Sequence, residues 1–235
     1  LVAELNGAGV PQILASGKLH EYLGGMARGL GLNGGWVIGE NGATVYDWSR
    51  LLFEIEADHL EEVNDFRRLL WSDYLSQDEF YEEPKFAGIT LFPRDRDLAK
   101  SRRVLEIVQG LIQEQGLPLA PEVHPDSAVD VLQIGVNKGR ALRAVAGKLG
   151  LSVDRFVAFG EGINDLAMLE LAYPVAPADA HAAVKELIAR RQGYLATRPG
   201  PLGVLEGFWH LRREGLTAFP LPEWLDEFRP VGETA

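Results

Sequence analysis

Apolar positions along the chain recur at two spacings, and their order sketches an architecture. Leu1, Val2 and Leu5 stand at helical spacing ahead of Gly7-Ala8-Gly9. Pro11 to Ala15 then make a short apolar run, closed by Ser16-Gly17. Leu19, Tyr22, Leu23, Met26, Ala27 and Leu30 share one face of a predicted helix, which a glycine-rich stretch ends before the strand Trp36-Val37-Ile38. Helix and strand in alternation predict a parallel sheet.

From about Asp47 the order changes. A strand is predicted at Leu51 to Ile55, a polar helix from Asp58 to about Leu75 and an acidic loop through Glu83. A strand over Phe86 to Phe92, a helix over Leu98 to Gln115 and a strand pair around Glu122 to Val123 and Val129 to Ile134 follow. This grammar suits a separate α+β module inserted at 47–134. After Asn137 alternation returns: a helix to Leu149, a strand Phe156 to Phe159, a helix Asn164 to Leu171 and a strand Tyr173 to Val175. A helix Ala180 to Arg190, a strand Tyr194 to Ala196 and a helix through Leu211 complete it. The tail after Gly215, with Pro220, Pro222 and Pro230, is predicted to be loosely packed loop. The reading is an α/β core of 1–46 and 135–235 interrupted by the inserted unit.

Composition narrows the chemistry. The 235 residues carry 23 Lys and Arg against 34 Asp and Glu, a net charge of −11 that disfavours nucleic acid and anionic membranes as partners. Cysteine is absent, which excludes disulfides, thiolate nucleophiles and Cys-ligated metal centres and fits a reducing cytoplasm. No apolar run approaches the roughly 18 residues of a membrane span, and no secretory signal opens the chain. A cytoplasmic protein is expected. The first residues lie mid-helix with no initiator methionine, so an upstream segment is expected as well.

Three stretches bear candidate chemistry. Ser16-Gly17-Lys18 closes a strand and opens a helix, so a hydroxyl and free backbone N–H groups stand where open α/β sheets bind ligands; Ser16 serves equally well as a helix cap. Lys138 begins a helix where the chain returns from the insertion, and its ammonium can offset an anion there, although most lysines are simply solvated. Gly160-Glu161-Gly162-Ile163-Asn164-Asp165 joins an apolar strand to a helix. Glu161 and Asp165 can both face one hard cation such as Mg²⁺, and helix capping accounts for one of these polar residues but not for the rest. Gly29, Gly31 and Gly34 satisfy G-x-G-x-x-G but follow a helix and precede a strand, the reverse of a dinucleotide site. His20, His59, His124, His181 and His210 lack metal-ligand spacing and read as scattered surface or core residues.

With these stretches in this order around an insertion, the chain resembles the haloacid dehalogenase superfamily of phosphatases. The likeness is to the branch with a large α/β cap, which includes Cof-type, archaeal phosphoglycolate and sucrose-phosphate phosphatases. The resemblance implies a Rossmann-like core with a mainly parallel sheet and a cap over 47–134. It implies that Ser16 and Gly17 bind phosphate, that Lys138 is catalytic and touches substrate, and that Asn41 and Asn164 contact substrate or the hinge. It further implies that Glu161 and Asp165 hold Mg²⁺ directly or through water. The expected activity is Mg²⁺-dependent hydrolysis of a small phosphorylated metabolite, a sugar phosphate or phosphoglycolate-like acid, through an aspartyl-phosphate. Three departures stand out: Glu161 replaces the usual Asp, Lys18 replaces the usual Arg, and the family's Asp-x-Asp strand is expected upstream of Leu1, since Asp95-Arg96-Asp97 falls in a polar stretch of the insertion. The alternatives are a non-catalytic relative that binds a phosphorylated ligand, and an interaction module using the acidic stretch 58–83. Oligomeric state is not legible.

Overall fold

Short apolar runs punctuated by glycine build the first sheet. The computed structural model describes residues 1–32 and 35–230. Helix α1 (Val2–Gly7) leads into β1 (Ile13–Ala15), α2 (His20–Gly29) and β2 (Trp36–Gly39), and β1 and β2 run parallel. Leu23 and Ala27 bury one side of α2, while every residue of β2 is buried, as expected of a strand covered on both faces. The helix ends at Gly29, and Gly31 takes a left-handed φ of 81° in the turn beyond it; Gly34 of the glycine pattern lies outside the described residues.

Two further strands, β3 (Thr44–Asp47) and β4 (Leu52–Ile55), add to β2 in antiparallel register. The expected border at residues 46 and 47 therefore falls within one continuous sheet. Strand β3 escaped sequence reading because it follows the Gly39–Gly42 turn after only one intervening residue, too soon to register as a separate run.

The inserted unit has its own core. Helix α3 (Leu60–Leu69), extended by a wider turn over Leu70–Tyr74, and α4 (Leu98–Gln115) cover a four-stranded sheet. Its strands are β5 (Phe80–Glu83), β6 (Ile89–Pro93), β7 (Leu119–Val123) and β8 (Val129–Gln133), antiparallel in the order β5-β6-β8-β7. Val63, Phe66, Leu70, Ile89, Leu91, Val104, Val108 and Val131 fill the space between. The acidic loop expected through Glu83 is instead strand β5. Its carboxylates are compatible with pairing because Glu82 accepts hydrogen bonds from Arg67 Nε (2.6 Å) and Trp71 Nε1 (2.7 Å). In β8, Val129, Val131 and Gln133 are buried and alternate with Asp130, which pairs across the ladder with Thr90 of β6.

Past residue 134 come α5 (Lys138–Lys148), β9 (Val157–Phe159), α6 (Leu166–Leu169), β10 (Tyr173–Ala176), α7 (Ala182–Arg191), β11 (Tyr194–Leu195) and α8 (Gly200–Arg213). The strands form a parallel sheet in the order β11-β10-β9. Trp36, Ile38 and Val45 of the first sheet share one core with Leu142, Val145, Ala158, Leu169, Val184 and Leu187. Among the described residues β1 pairs only with β2 and β9 only with β10, so each of these sheets ends in a strand with a free edge. The segment after Gly215 is not loose: a turn of tight helix at Glu223–Phe228 seats Leu225, with Leu221, against Leu5, Trp209 and Leu211. Apolar residues between prolines thus dock where the proline spacing alone suggested loop. No helix among the described residues is long and apolar enough to cross a membrane.

Candidate active site

The end of β1 is tied into its surroundings by main-chain bonds. Ser16 N–H donates to Ile38 O (2.9 Å), Asn41 N–H to Ser16 O (3.1 Å) and Glu40 N–H to Lys18 O (3.0 Å). Gly17 lies close under Asn41, since a Cβ there would stand 3.2 Å from the Asn41 amide. The turn that holds Asn41 is unusual backbone: Glu40, Asn41 and Gly42 all take positive φ, at 48°, 55° and 105°. Gly42 is pressed onto the start of α5, where a Cβ would fall 2.3 Å from Asn137 O. Asn137 caps that helix by accepting from Arg140 N–H (2.9 Å).

Lys138 follows the cap, and its side chain turns inward. Its ammonium donates to Asp165 Oδ1 at 2.6 Å, with both side chains nearly buried. The other oxygen of Asp165 accepts from the backbone N–H groups of Glu161 (2.9 Å) and Gly162 (3.0 Å). Gly160 makes room, because a Cβ there would lie 2.6 Å from that of Asp165. Asn164 Nδ2 donates to Asn41 Oδ1 at 2.9 Å, which links this loop to the β1 side. Ser16, Gly17, Asn41, Lys138, Asn164 and Asp165 therefore belong to one connected network, although they span some 150 positions of sequence. A surface cavity of about 300 Å³, lined in part by Pro11, Gln12, Trp36 and Asp47, lies at the opposite ends of β1 and β2.

The two expected cation ligands part company. Asp165 is engaged by one ammonium and two amides, which makes it the group that holds Lys138. Glu161 projects an exposed side chain from the same loop and makes no side-chain hydrogen bond or ion pair among the described residues. Its carboxylate is a hard oxygen donor that suits Mg²⁺. Among the described residues no three His, Cys, Asp or Glu side chains are grouped to hold a metal ion.

Residues of the inserted unit complete the surroundings, and sequence reading had passed over them. Asp130 Oδ2 accepts from Asn41 Nδ2 (3.3 Å) and contacts His124 Nε2 (3.1 Å), while Asp130 Oδ1 accepts from Thr90 Oγ1 (2.6 Å). Burial pushes the Asp130 carboxyl up, but the bonds from His124 and Thr90 outweigh it and hold it below its ordinary value. The same bond raises the His124 imidazole above the ordinary histidine value against the pull of burial. His124 is thus no scattered residue. The alternation Val129-Asp130-Val131, which sets Asp130 on the face opposite the core, was the readable signal. Glu40 is almost fully buried and accepts from Phe86 N–H (3.0 Å) and Ala87 N–H (2.9 Å), fastening the turn between β5 and β6 of the inserted unit to the core.

A family profile described as haloacid dehalogenase-like hydrolase matches residues 95–190. A phosphoglycolate phosphatase of Methanosarcina mazei is 32% identical over 190 residues, covering 79% of this chain and 77% of the relative. One from Halobacterium salinarum is 30% identical over 187 residues, with 76% of each covered. Among solved structures, a haloacid dehalogenase-like hydrolase from Bacteroides thetaiotaomicron superposes with a TM-score of 0.66 at 19% identity, covering 83% of this chain and 84% of the other. The sucrose-phosphatase of Synechocystis, solved with sucrose and phosphate, gives 0.62 at 17%, over 89% and 88%. With the α/β core, the inserted unit and a lysine held by the strand-to-helix loop in place, the chain belongs to the haloacid dehalogenase-like hydrolases.

Proposed function

We propose that the protein is a phosphatase that hydrolyses the monoester of a small phosphorylated metabolite. The observation that carries this reading is the joining of Ser16-Gly17, the Lys138–Asp165 pair and the Asn41–Asn164 bond at the carboxyl ends of β1 and β9. The Ser16 hydroxyl and nearby amides would take phosphoryl oxygens. Lys138, held in place by Asp165, would offset the charge that grows on them. Asn41 and Asn164 would order the loop against the substrate. The unit from about residue 57 to 134 would act as a cap that excludes water and selects the leaving group.

In the reaction a carboxylate attacks phosphorus, the ester P–O bond breaks, and the departing alcohol takes a proton; water then splits the acyl phosphate. The chain's own Asp-x-Asp cannot serve. Asp97 caps α4 through Ala99 N–H (2.8 Å) and Asp95 pairs with Lys100 (2.7 Å), both in the cap. The free edges of β1 and β9 suit a parallel strand, and a nucleophile carried there from upstream of Leu1 would stand beside Ser16 and Lys138. Bound Mg²⁺ would neutralise charge on the transferring group, with Glu161 as one ligand. The names of the Methanosarcina and Halobacterium relatives support a phosphorylated acid as substrate. The docking-surface alternative loses support because several carboxylates of the acidic stretch are already paired: Asp58 with Arg140, Glu62 with His59, Asp65 with Arg68 and Glu82 with Arg67.

The test is phosphate release by the full-length protein with Mg²⁺ against sugar phosphates and 2-phosphoglycolate. Turnover that falls roughly ten- to a thousandfold in kcat/KM on Lys138→Ala is expected. Hydrolysis of none of them by a protein that carries the Asp-x-Asp strand would leave a binding protein in its place.

A further inference from the structure

Three charged side chains meet between the Ser16–Lys18 loop and the turn that joins β5 to β6, and the chemistry above uses none of them. Glu83 accepts from Lys18 Nζ on Oε1 and from Lys85 Nζ on Oε2, each at 2.7 Å. The Lys85 ammonium also donates to Gly17 O, the carbonyl next to Ser16. Burial raises the Glu83 carboxyl, yet the two lysines outweigh it and hold it below its ordinary value. Lys85 also lies near enough to Asp130 for its charge to lower that carboxyl.

The three groups differ in their freedom. Lys18 is half exposed, and Glu83 keeps about a quarter of its side-chain surface in water, so both can swing out together. Lys85 cannot follow, since its side chain is 5% exposed and its head is fixed on Gly17 O. Were Glu83 to leave, a buried ammonium would keep the Gly17 carbonyl but lose its carboxylate, next to the residue whose hydroxyl would take phosphate, and such a charge requires an anion. What it holds now is a carboxylate.

We propose that Lys85 determines specificity by binding a carboxylate borne by the substrate close to its phosphate, and that Glu83 fills the place of that carboxylate until substrate arrives. This rests on the phosphatase reading above and goes beyond it in naming the residue and the group it reads. The substrate class is a short phosphorylated hydroxy acid, because Gly17 O and the Ser16 hydroxyl belong to adjacent residues and a long spacer would overshoot. A neutral polyol phosphate would leave Glu83 where it is.

The experiment compares 2-phosphoglycolate with glycerol 2-phosphate, an ester of similar size and neutral leaving group, as substrates of the full-length protein. Lys85→Met is expected to lower the ratio of their kcat/KM values at least about thirtyfold, mainly through KM for phosphoglycolate, and Lys85→Arg to restore much of it. Glu83→Gln should lower KM for phosphoglycolate severalfold, because the internal competitor loses its charge. Equal losses on both substrates in Lys85→Met, or a wild-type preference for glycerol 2-phosphate, would overturn the proposal while leaving the phosphatase reading intact. If the wild type hydrolyses a sugar phosphate but neither of these esters, the proposal is overturned and the phosphatase reading stands; if it hydrolyses no phosphate ester at all, the phosphatase reading fails, and calorimetry of 2-phosphoglycolate binding decides the role of Lys85. Affinity unchanged in Lys85→Met would then refute it.

Discussion

Lys138 Nζ and Asp165 Oδ1 stand 2.6 Å apart, although the residues are 27 positions apart in sequence, with almost no solvent around either. The pair is completed by the two amides on Asp165 Oδ2, so the carboxylate keeps one face for the lysine and one for its own loop. Removing one partner strands the other. Asp165→Asn or Lys138→Ala should each cost about 3–5 kcal/mol of stability, whereas replacing both by apolar residues of similar volume should cost less than the sum. Urea unfolding of the two single variants and the double variant measures this, and strict additivity would contradict the coupling.

A histidine of the inserted unit, His124, makes stability depend on pH. The Asp130 bond raises the His124 imidazole above its ordinary 6.5, so its contribution is complete below about pH 6.5 and fades as pH rises through the higher folded value. His210, lowered mainly by burial, works in the opposite sense. The difference between wild type and His124→Gln isolates the first effect. It should shrink by about 1 kcal/mol or less between pH 6 and pH 9, read from denaturant midpoints at fixed ionic strength. A difference that grew with pH would contradict the assignment.

Close packing at Gly42 predicts a backbone effect. Alanine there would need both a left-handed φ and a Cβ 2.3 Å from Asn137 O. Gly42→Ala should destabilise by more than about 2 kcal/mol, while Gly110→Ala, on the open side of α4 where a Cβ meets nothing within 4 Å, should stabilise by up to about 1 kcal/mol. Thermal melts of the two variants test the contrast.

Glu161 gives a prediction about metal affinity. Its exposed carboxylate is one methylene longer than an aspartate, so Glu161→Asp should preserve or strengthen Mg²⁺ activation in the full-length enzyme, and Glu161→Ala should raise the Mg²⁺ concentration for half-maximal activity by about tenfold or more. Titration of activity with Mg²⁺ reads both.

What could be read from the chain follows from range. Helices with long apolar faces, such as α4 and α5, declare themselves through periodicity within a dozen residues. So does the strand-to-helix loop around Glu161, where glycines and polar side chains interrupt an apolar run. Strands β3 and β5 carry too few residues, or too many carboxylates, for a local pattern to reveal them. Their reasons lie in cross-strand neighbours and in Arg67 and Trp71. The alternation in β8 shows which face Asp130 takes, but the partners of Lys85, Asp130 and Glu40 were illegible for a related reason. Each looks like an ordinary polar residue until the fold brings a partner from 46 or more positions away, as Gly17 O does for Lys85, Asn41 for Asp130 and Phe86 N–H for Glu40.

Asn41 has the geometry of a rivet through three plates. Its backbone N–H is fixed to the end of β1, its side-chain oxygen takes Asn164, and its side-chain nitrogen reaches Asp130. Any hinge motion that lifts Asp130 away frees one end of that amide, and the orientation that presents its oxygen to Asn164 loses its counterweight. The inserted unit and the loop that carries Asp165 are therefore geared together. The gearing runs through a single side chain seated in left-handed backbone, where most other residue types would add strain of about 1–3 kcal/mol.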